Sequence, residues 1–116
     1  MLASVAVGAA LVAVSAPSAS AATGYARCPD GRMCVFSDPN GTGAMAVFEV
    51  GDWDLGDGVG PQGMNNNIES FWNRTSYSWD FWKGANGSGE WLVVGPSSRA
   101  NFINGWQNTV TSLHYY

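Results

Sequence analysis

The sequence predicts an all-β fold in which two Greek-key units pack as a sandwich. Three observations carry this. A short pattern occurs twice, first as Val35-Phe36-Ser37-Asp38-Pro39-Asn40-Gly41-Thr42-Gly43 and, 46 positions on, as Phe81-Trp82-Lys83-Gly84-Ala85-Asn86-Gly87-Ser88-Gly89. Each copy leads to a matching segment, Asn65-Asn66-Asn67-Ile68-Glu69-Ser70-Phe71 and then Gln107-Asn108-Thr109-Val110-Thr111-Ser112-Leu113, 42 positions apart. The composition is rich in Gly (15), Trp (6) and Phe (5), and no segment keeps a helical period. A repeated unit of this size cannot bury its apolar side alone, so two copies are expected to pack face to face.

The chain opens with an uncharged stretch, residues 1–21, of mostly Ala, Val, Leu, Gly and Ser. Its apolar part, Val5 to Val14, is shorter than the roughly 20 residues a bilayer span needs. Ala19-Ser20-Ala21 has the form of a signal-peptidase site, so residues 1–21 read as a secretory leader. No basic region precedes it, consistent with an upstream start codon. Residues 22–116 then form one small domain, with units at about 27–75 and 76–116.

Cys28 and Cys34 flank Pro29-Asp30-Gly31, a turn sequence, in a chain with no other cysteine. A secreted protein with two cysteines so placed is expected to join them, pinning the N-terminal arm to the first strand. Two cysteines and the lone His114 do not make a four-ligand zinc site.

Met33 to Ser37 reads as the first strand and Asp38 to Gly43 as a turn. Ala44 to Val50 reads as the second strand, with Val47 and Phe48 as its packing residues. Gly51 to Gly63 is loop-like, with Trp53 and Leu55 anchoring it inward. Ile68 to Asn73 closes the first unit. Tyr77 to Lys83, a turn at Gly84 to Gly89, Trp91 to Val94, a loop at Gly95 to Ser98 and Val110 to Tyr115 repeat the plan. Strand alternation puts Phe71 and Leu113 at matching places facing one core. Trp82 is the tryptophan most clearly assigned to that core.

Five basic and nine acidic residues give a net charge of −4, which argues against nucleic acid and anionic membranes as partners. The expected protein is a monomer. Catalysis finds no support: His114 has no nucleophile beside it, and Asp52, Asp54 and Asp57 crowd a Gly-rich loop without a glycosidase pattern. Asn-Gly-Thr at 40 and Asn-Gly-Ser at 86 fit glycosylation sequons but equally fit turn geometry. Trp53, Trp72, Trp79, Trp82, Trp91 and Trp106 exceed what so small a core needs, so a group of them exposed together would mark a binding face.

Phe36, Gly43 and Ser70, then Trp82, Gly89 and Ser112, resemble the repeated signature of the βγ-crystallin superfamily. Gly41 and Gly87 stand where that family carries a second hairpin aromatic. Within the superfamily, Cys28-Pro29-Asp30-Gly31-Arg32-Met33-Cys34-Val35-Phe36 and the ending Asn65 to Asn73 are similar to secreted actinomycete metalloproteinase inhibitors. The resemblance implies a non-enzymatic inhibitor of extracellular zinc proteases. The characterised inhibitor braces its reactive loop with a second disulfide in the second unit, which this chain lacks. The inhibitory loop is therefore unassigned, with two candidates: the hairpin Lys83 to Glu90 and the longer loop Gly51 to Asn65, whose five glycines would cost ordering entropy.

The superfamily also implies calcium. Its doubled motif is matched by Asn65, Asn66, Asn67, Glu69 and Ser70 in one copy, and by Gln107, Asn108, Thr109, Thr111 and Ser112 in the other. These are hard oxygen donors, and Glu69 carries the only formal charge among them, which implies weak affinity. No cofactor is otherwise required. Two further readings are a calcium-stabilised structural or stress module and an antimicrobial or wall-binding protein using exposed tryptophans.

Overall fold

A computed structural model describes residues 23–116; the leader expected at 1–21 lies outside them. Eight strands follow in order: β1 (Met33–Asp38), β2 (Thr42–Phe48), β3 (Gly51–Asp52), β4 (Ser70–Asn73), β5 (Trp79–Trp82), β6 (Trp91–Val94), β7 (Arg99–Asn101) and β8 (Ser112–Tyr115). They form two four-stranded sheets, ordered β2-β1-β4-β7 and β3-β8-β5-β6, and every recorded pairing is antiparallel. Each half of the chain contributes three strands to its own sheet and lends one short strand, β3 or β7, to the other. The exchange makes the two Greek keys one folding unit.

Neither short lent strand is expected from the sequence, which reads β3 as part of a loop and assigns no element to residues 99–101. β3 has two residues and β7 three, and none of their side chains is buried. Neither shows the apolar alternation that marks a strand; each forms because a partner's edge is there to receive it. β2 also begins two residues before the expected Ala44 and ends at Phe48. β4 and β8 start at Ser70 and Ser112, later than expected.

One core lies between the sheets. β1 contributes Met33 and Val35, β2 Ala46 and Phe48, β4 Phe71, β5 Trp79 and Phe81, and β8 Leu113. Phe71, Phe81 and Phe102 meet across the sheets with centroids 5.3 to 5.7 Å apart. Period-two alternation decides two corrections. Phe48 is buried as expected, but its neighbour Val47 points outward. On β5, Trp79 is fully buried and Trp82, three positions on and so on the opposite face of the strand, lies on the outer side.

Trp79 is held by a buried polar chain at the crossing between units. Its Nε1 donates to Thr75 Oγ1 at 2.9 Å, and Thr75 Oγ1 donates to Asn73 Oδ1 at 2.6 Å. Asn73 Nδ2 donates to the carbonyls of Tyr77 and Gly95, so the enclosed amide is satisfied.

The outer face of the first sheet is covered by the N-terminal arm. Cys28 and Cys34 are joined by a disulfide, as the spacing predicts. Tyr25 packs edge-on against Phe36 at 5.4 Å and against Trp72 at 6.0 Å. The Arg27 guanidinium lies 5.4 Å from the Phe36 ring centre. Removing the disulfide by a Cys28→Ala, Cys34→Ala double substitution is expected to cost about 2.5 kcal/mol, the chain-entropy value for so short a loop. In a domain of this size that lowers the melting temperature by about 10 to 20 °C. Calorimetry of the two forms checks it, and equal melting temperatures would show that the arm docks without its clip.

Candidate inhibitory surface

The repeated hairpins are built alike. Ser70 Oγ accepts the Gly41 N–H at 2.9 Å and donates to the Asp38 carbonyl at 2.7 Å. Ser112 Oγ accepts the Gly87 N–H at 3.2 Å and donates to the Gly84 carbonyl at 2.6 Å. Both serines are fully buried, so their recurrence follows from the need to satisfy folded-hairpin backbone. Asn40 and Asn86 take left-handed φ of 61° and 59°, which accounts for both Asn-Gly pairs.

The glycines that replace the second hairpin aromatic have a packing reason. A Cβ on Gly41 would lie 2.6 Å from the Tyr25 ring, and one on Gly87 would lie 3.3 Å from Trp53. Tyr25 and Trp53, brought from elsewhere in the chain, fill the two equivalent places. Trp53 therefore does not anchor its loop in the core, contrary to expectation. Its ring stacks on His114 at 4.4 Å and leans on Trp82 at 5.5 Å, and the residue stays 46% exposed. The physical cause is the short strand β3: after Asp52 the chain leaves the sheet edge on the outer side.

The two candidate loops form one surface. The Asn86 N–H donates to the Trp53 carbonyl at 2.6 Å, tying hairpin 83–90 to loop 51–65. Asn86 also joins Trp53, Asp54, Asp57, Val59 and Pro61 around one shallow depression. The hairpin is closed by the Lys83 N–H to Glu90 carbonyl and Gly84 N–H to Ser88 carbonyl bonds, and by a 2.6 Å Lys83–Glu90 ion pair. It presents no large apolar side chain to solvent, as Lys83 lies over the Trp106 ring.

The long loop is more ordered than its glycines suggest. Asp52 Oδ1 accepts the Asp54 N–H, Asp54 Oδ1 the Gly56 N–H and Asp57 Oδ1 the Val59 N–H, at 2.9 to 3.0 Å. The three aspartates so crowd the loop because each stabilises its own turn two residues on. Leu55 and Met64 are both 2% exposed and anchor the loop in the core. Backbone bonds from Leu55 to Thr111 and from Asn66 to Val110 fix its ends. Of its apolar side chains Trp53, Leu55 and Val59, Leu55 is consumed by the core and Trp53 is held in the Trp82–His114 stack. Val59, flanked by glycines, remains 71% exposed.

The calcium-motif residues divide into two groups. Asn66 and Asn108 N–H groups donate reciprocally to the carbonyls of Val110 and Ile68, both at 2.9 Å. Thr111 Oγ1 donates to Asn66 Oδ1 and Asn108 Nδ2 to Glu69 Oε2, both at 3.2 Å. Each pair joins position two of one motif to position five of the other, on the exposed surface. The other four serve their own turns or lie apart. Asn67 Nδ2 donates to the Gly63 carbonyl, Gln107 Oε1 accepts the Gly105 N–H, Thr109 Oγ1 donates to the Trp106 carbonyl, and Asn65 stands beside Gly56. Among the described residues no three His, Cys, Asp or Glu converge as metal ligands. All four side chains offer hard oxygens, and only that of Glu69 is charged.

His114 stands across the ladder from Asp80 on the outer face of the second sheet. Asp80 Oδ1 is enclosed and has no hydrogen-bond partner among the described residues. Burial raises the Asp80 carboxyl above the ordinary aspartate range. The group therefore favours the folded state at acid pH, an advantage lost as pH rises through its folded value.

Two exchanged Greek keys with serine-latched hairpins define a βγ-crystallin-like fold. A structure from work on the evolution of the eye lens βγ-crystallin domain fold superposes with a TM-score of 0.68 at 14% identity, over 77% of this chain and 89% of that one. A βγ-crystallin from Ciona intestinalis gives 0.64 at 19% identity, over 74% and 100%. A βγ-crystallin domain from Flavobacterium johnsoniae gives 0.61 at 22% identity, over 72% and 92%. At such identities the likeness is one of fold. The family model of peptidase inhibitor family I36 matches residues 21–94, and the chain belongs to that family. It is a peptidase inhibitor and not an enzyme. No curated protein sequence gives a significant match.

Proposed function

We propose that the protein is secreted, that it inhibits an extracellular zinc metallopeptidase, and that loop 51–65 enters the peptidase cleft with Val59 as the side chain in its apolar pocket. The observation that carries the loop assignment is the exposure of Val59 on a turn whose backbone is already held by Asp57. A loop fixed before binding loses less entropy on binding, and Asp52, Asp54, Asp57, Leu55 and Met64 supply the bracing that a disulfide would otherwise give. The resemblance of Cys28 to Phe36 and Asn65 to Asn73 to actinomycete metalloproteinase inhibitors supports the zinc class. The leader pattern supports secretion.

Titration of a thermolysin-like peptidase with the purified protein tests the reading, with serine and cysteine peptidases as comparisons. Stoichiometric loss of zinc-peptidase activity alone is the expected result. Inhibition confined to another class would overturn the metallopeptidase assignment.

The reciprocal Asn66–Thr111 and Asn108–Glu69 pairs favour a second reading, weak calcium binding that stabilises the folded domain. A cation bound only by the folded state raises the melting temperature. At millimolar calcium, occupancy of about ten times Kd adds about 1.4 kcal/mol, or about 6 to 11 °C. Glu69→Gln removes the only charge and should abolish most of the increment. A melting curve indifferent to calcium would leave these pairs as inter-unit hydrogen bonds.

A further inference from the structure

The internal repeat lets the outer faces of the two sheets be compared position by position. With the 46-residue offset of the first strands, Cys34 corresponds to Asp80 and Phe36 to Trp82. With the 42-residue offset of the last strands, Trp72 corresponds to His114. On the first sheet this face is closed by the chain's own arm: Tyr25 lies against Phe36 and Trp72, and Cys28 is bonded to Cys34. On the second sheet Trp53 takes the place of Tyr25, against Trp82 and His114. Among the described residues nothing takes the place of Cys28. At the position where the first sheet is fastened covalently, the second carries an enclosed carboxylate oxygen without a donor. Beside it, Val93 pairs with Asp80 across the ladder and is 41% exposed, and Trp91 pairs with Trp82 and is 58% exposed.

Charge separates the faces in the same way. Arg27, Arg74 and Arg99 lie over Phe36, Trp72 and Tyr25 on the covered face, and Arg32 sits within the disulfide loop. Lys83, the remaining cation of the chain, is paired with Glu90. No described cation of the protein reaches Asp80.

We infer that the outer face of the second sheet, around Asp80, Trp91 and Val93, is a docking surface for a partner polypeptide that presents an arginine beside an aromatic side chain. The guanidinium meets the part-exposed Asp80 carboxylate, which no described cation of the protein reaches, and the ring packs on Trp91 and Val93. The chain's own Tyr25-Ala26-Arg27 shows the chemistry that closes the equivalent face. This surface is separate from Val59 and does not depend on the loop assignment.

An acetylated, amidated Tyr-Ala-Arg peptide, titrated at millimolar concentration into the 15N-labelled protein, tests the inference. Amide shifts confined to Asp80, Trp91, Val93 and His114 are expected, with none from a Tyr-Ala-Glu peptide. Asp80→Asn should weaken binding about tenfold, since a charged hydrogen bond becomes neutral. It removes a buried charge, so folding is not at risk. Trp91→Ala, an exposed position, should weaken binding several-fold. Absence of shifts at this face, or equal binding by the Asp80→Asn protein, would overturn the inference. So would shifts at these residues produced by soluble wall oligosaccharides and not by the peptide, or closure of the face by self-association in ultracentrifugation.

Discussion

Val59→Asp is expected to raise the inhibition constant against a zinc metallopeptidase by about 100-fold or more, because a carboxylate would have to lose its hydration in an apolar pocket. Melting temperature should barely move: Val59 is 71% exposed, and such surface changes stay within about 0.5 kcal/mol. Asp57→Ala tests the bracing separately. It leaves Val59 in place and removes the acceptor of its N–H, so it should weaken inhibition by a smaller factor, about tenfold. On the neighbouring hairpin, Glu90→Gln breaks the ion pair with Lys83 and should leave inhibition unchanged. Loss of inhibition in the Glu90→Gln protein, with Val59→Asp retaining it, would move the contact from the loop to the hairpin.

Trp79→Ala is expected to be the most damaging single substitution to stability, costing about 3 to 5 kcal/mol. The side chain is fully buried, and its removal also strips Thr75 Oγ1 of the Nε1 donor. The melting temperature should fall by at least about 12 °C. Trp82→Ala should cost less than about 2 kcal/mol, since that ring is half-buried on the outer face and loses chiefly its contact with Trp53. Thermal unfolding of the two variants decides it. A larger fall for Trp82→Ala would mean that the outer-face stack, and not the inter-sheet core, holds the second unit.

The contrast between these tryptophans shows what a one-dimensional pattern can carry. The repeat marks Phe36 and Trp82 as equivalent, and they are: both lie on outer faces, one under Tyr25 and the other under Trp53. Equivalence does not say which side of a strand faces the core. On a short aromatic strand such as Trp79-Asp80-Phe81-Trp82, apolar residues occupy both faces, and only the opposing sheet selects Trp79 and Phe81. The same limit misplaced Val47 beside Phe48.

The candidate site was legible in its parts but not in its assembly. Glycines, aspartates and Val59 are visible in the chain as a loop. Its attachment to the hairpin is a backbone bond from Asn86 to Trp53, which no side-chain pattern announces. Nor does sequence show that three aspartates stiffen the loop, because an Asx bond and a solvated carboxylate have the same spelling. Besides the two latching serines, the calcium motif likewise named eight residues, of which tertiary structure pairs four across the units.

By itself the sequence determined the all-β class, the two-unit repeat, the disulfide, the latching serines and the family, because each rests on local spacing, turn chemistry or recurring residues. Tertiary structure alone decided the exchange of β3 and β7, the inward face of β5, the choice of Val59 over Trp53 and Leu55, and the unpaired carboxylate of Asp80. Those depend on which surfaces meet, and that is settled by packing between segments far apart in the chain.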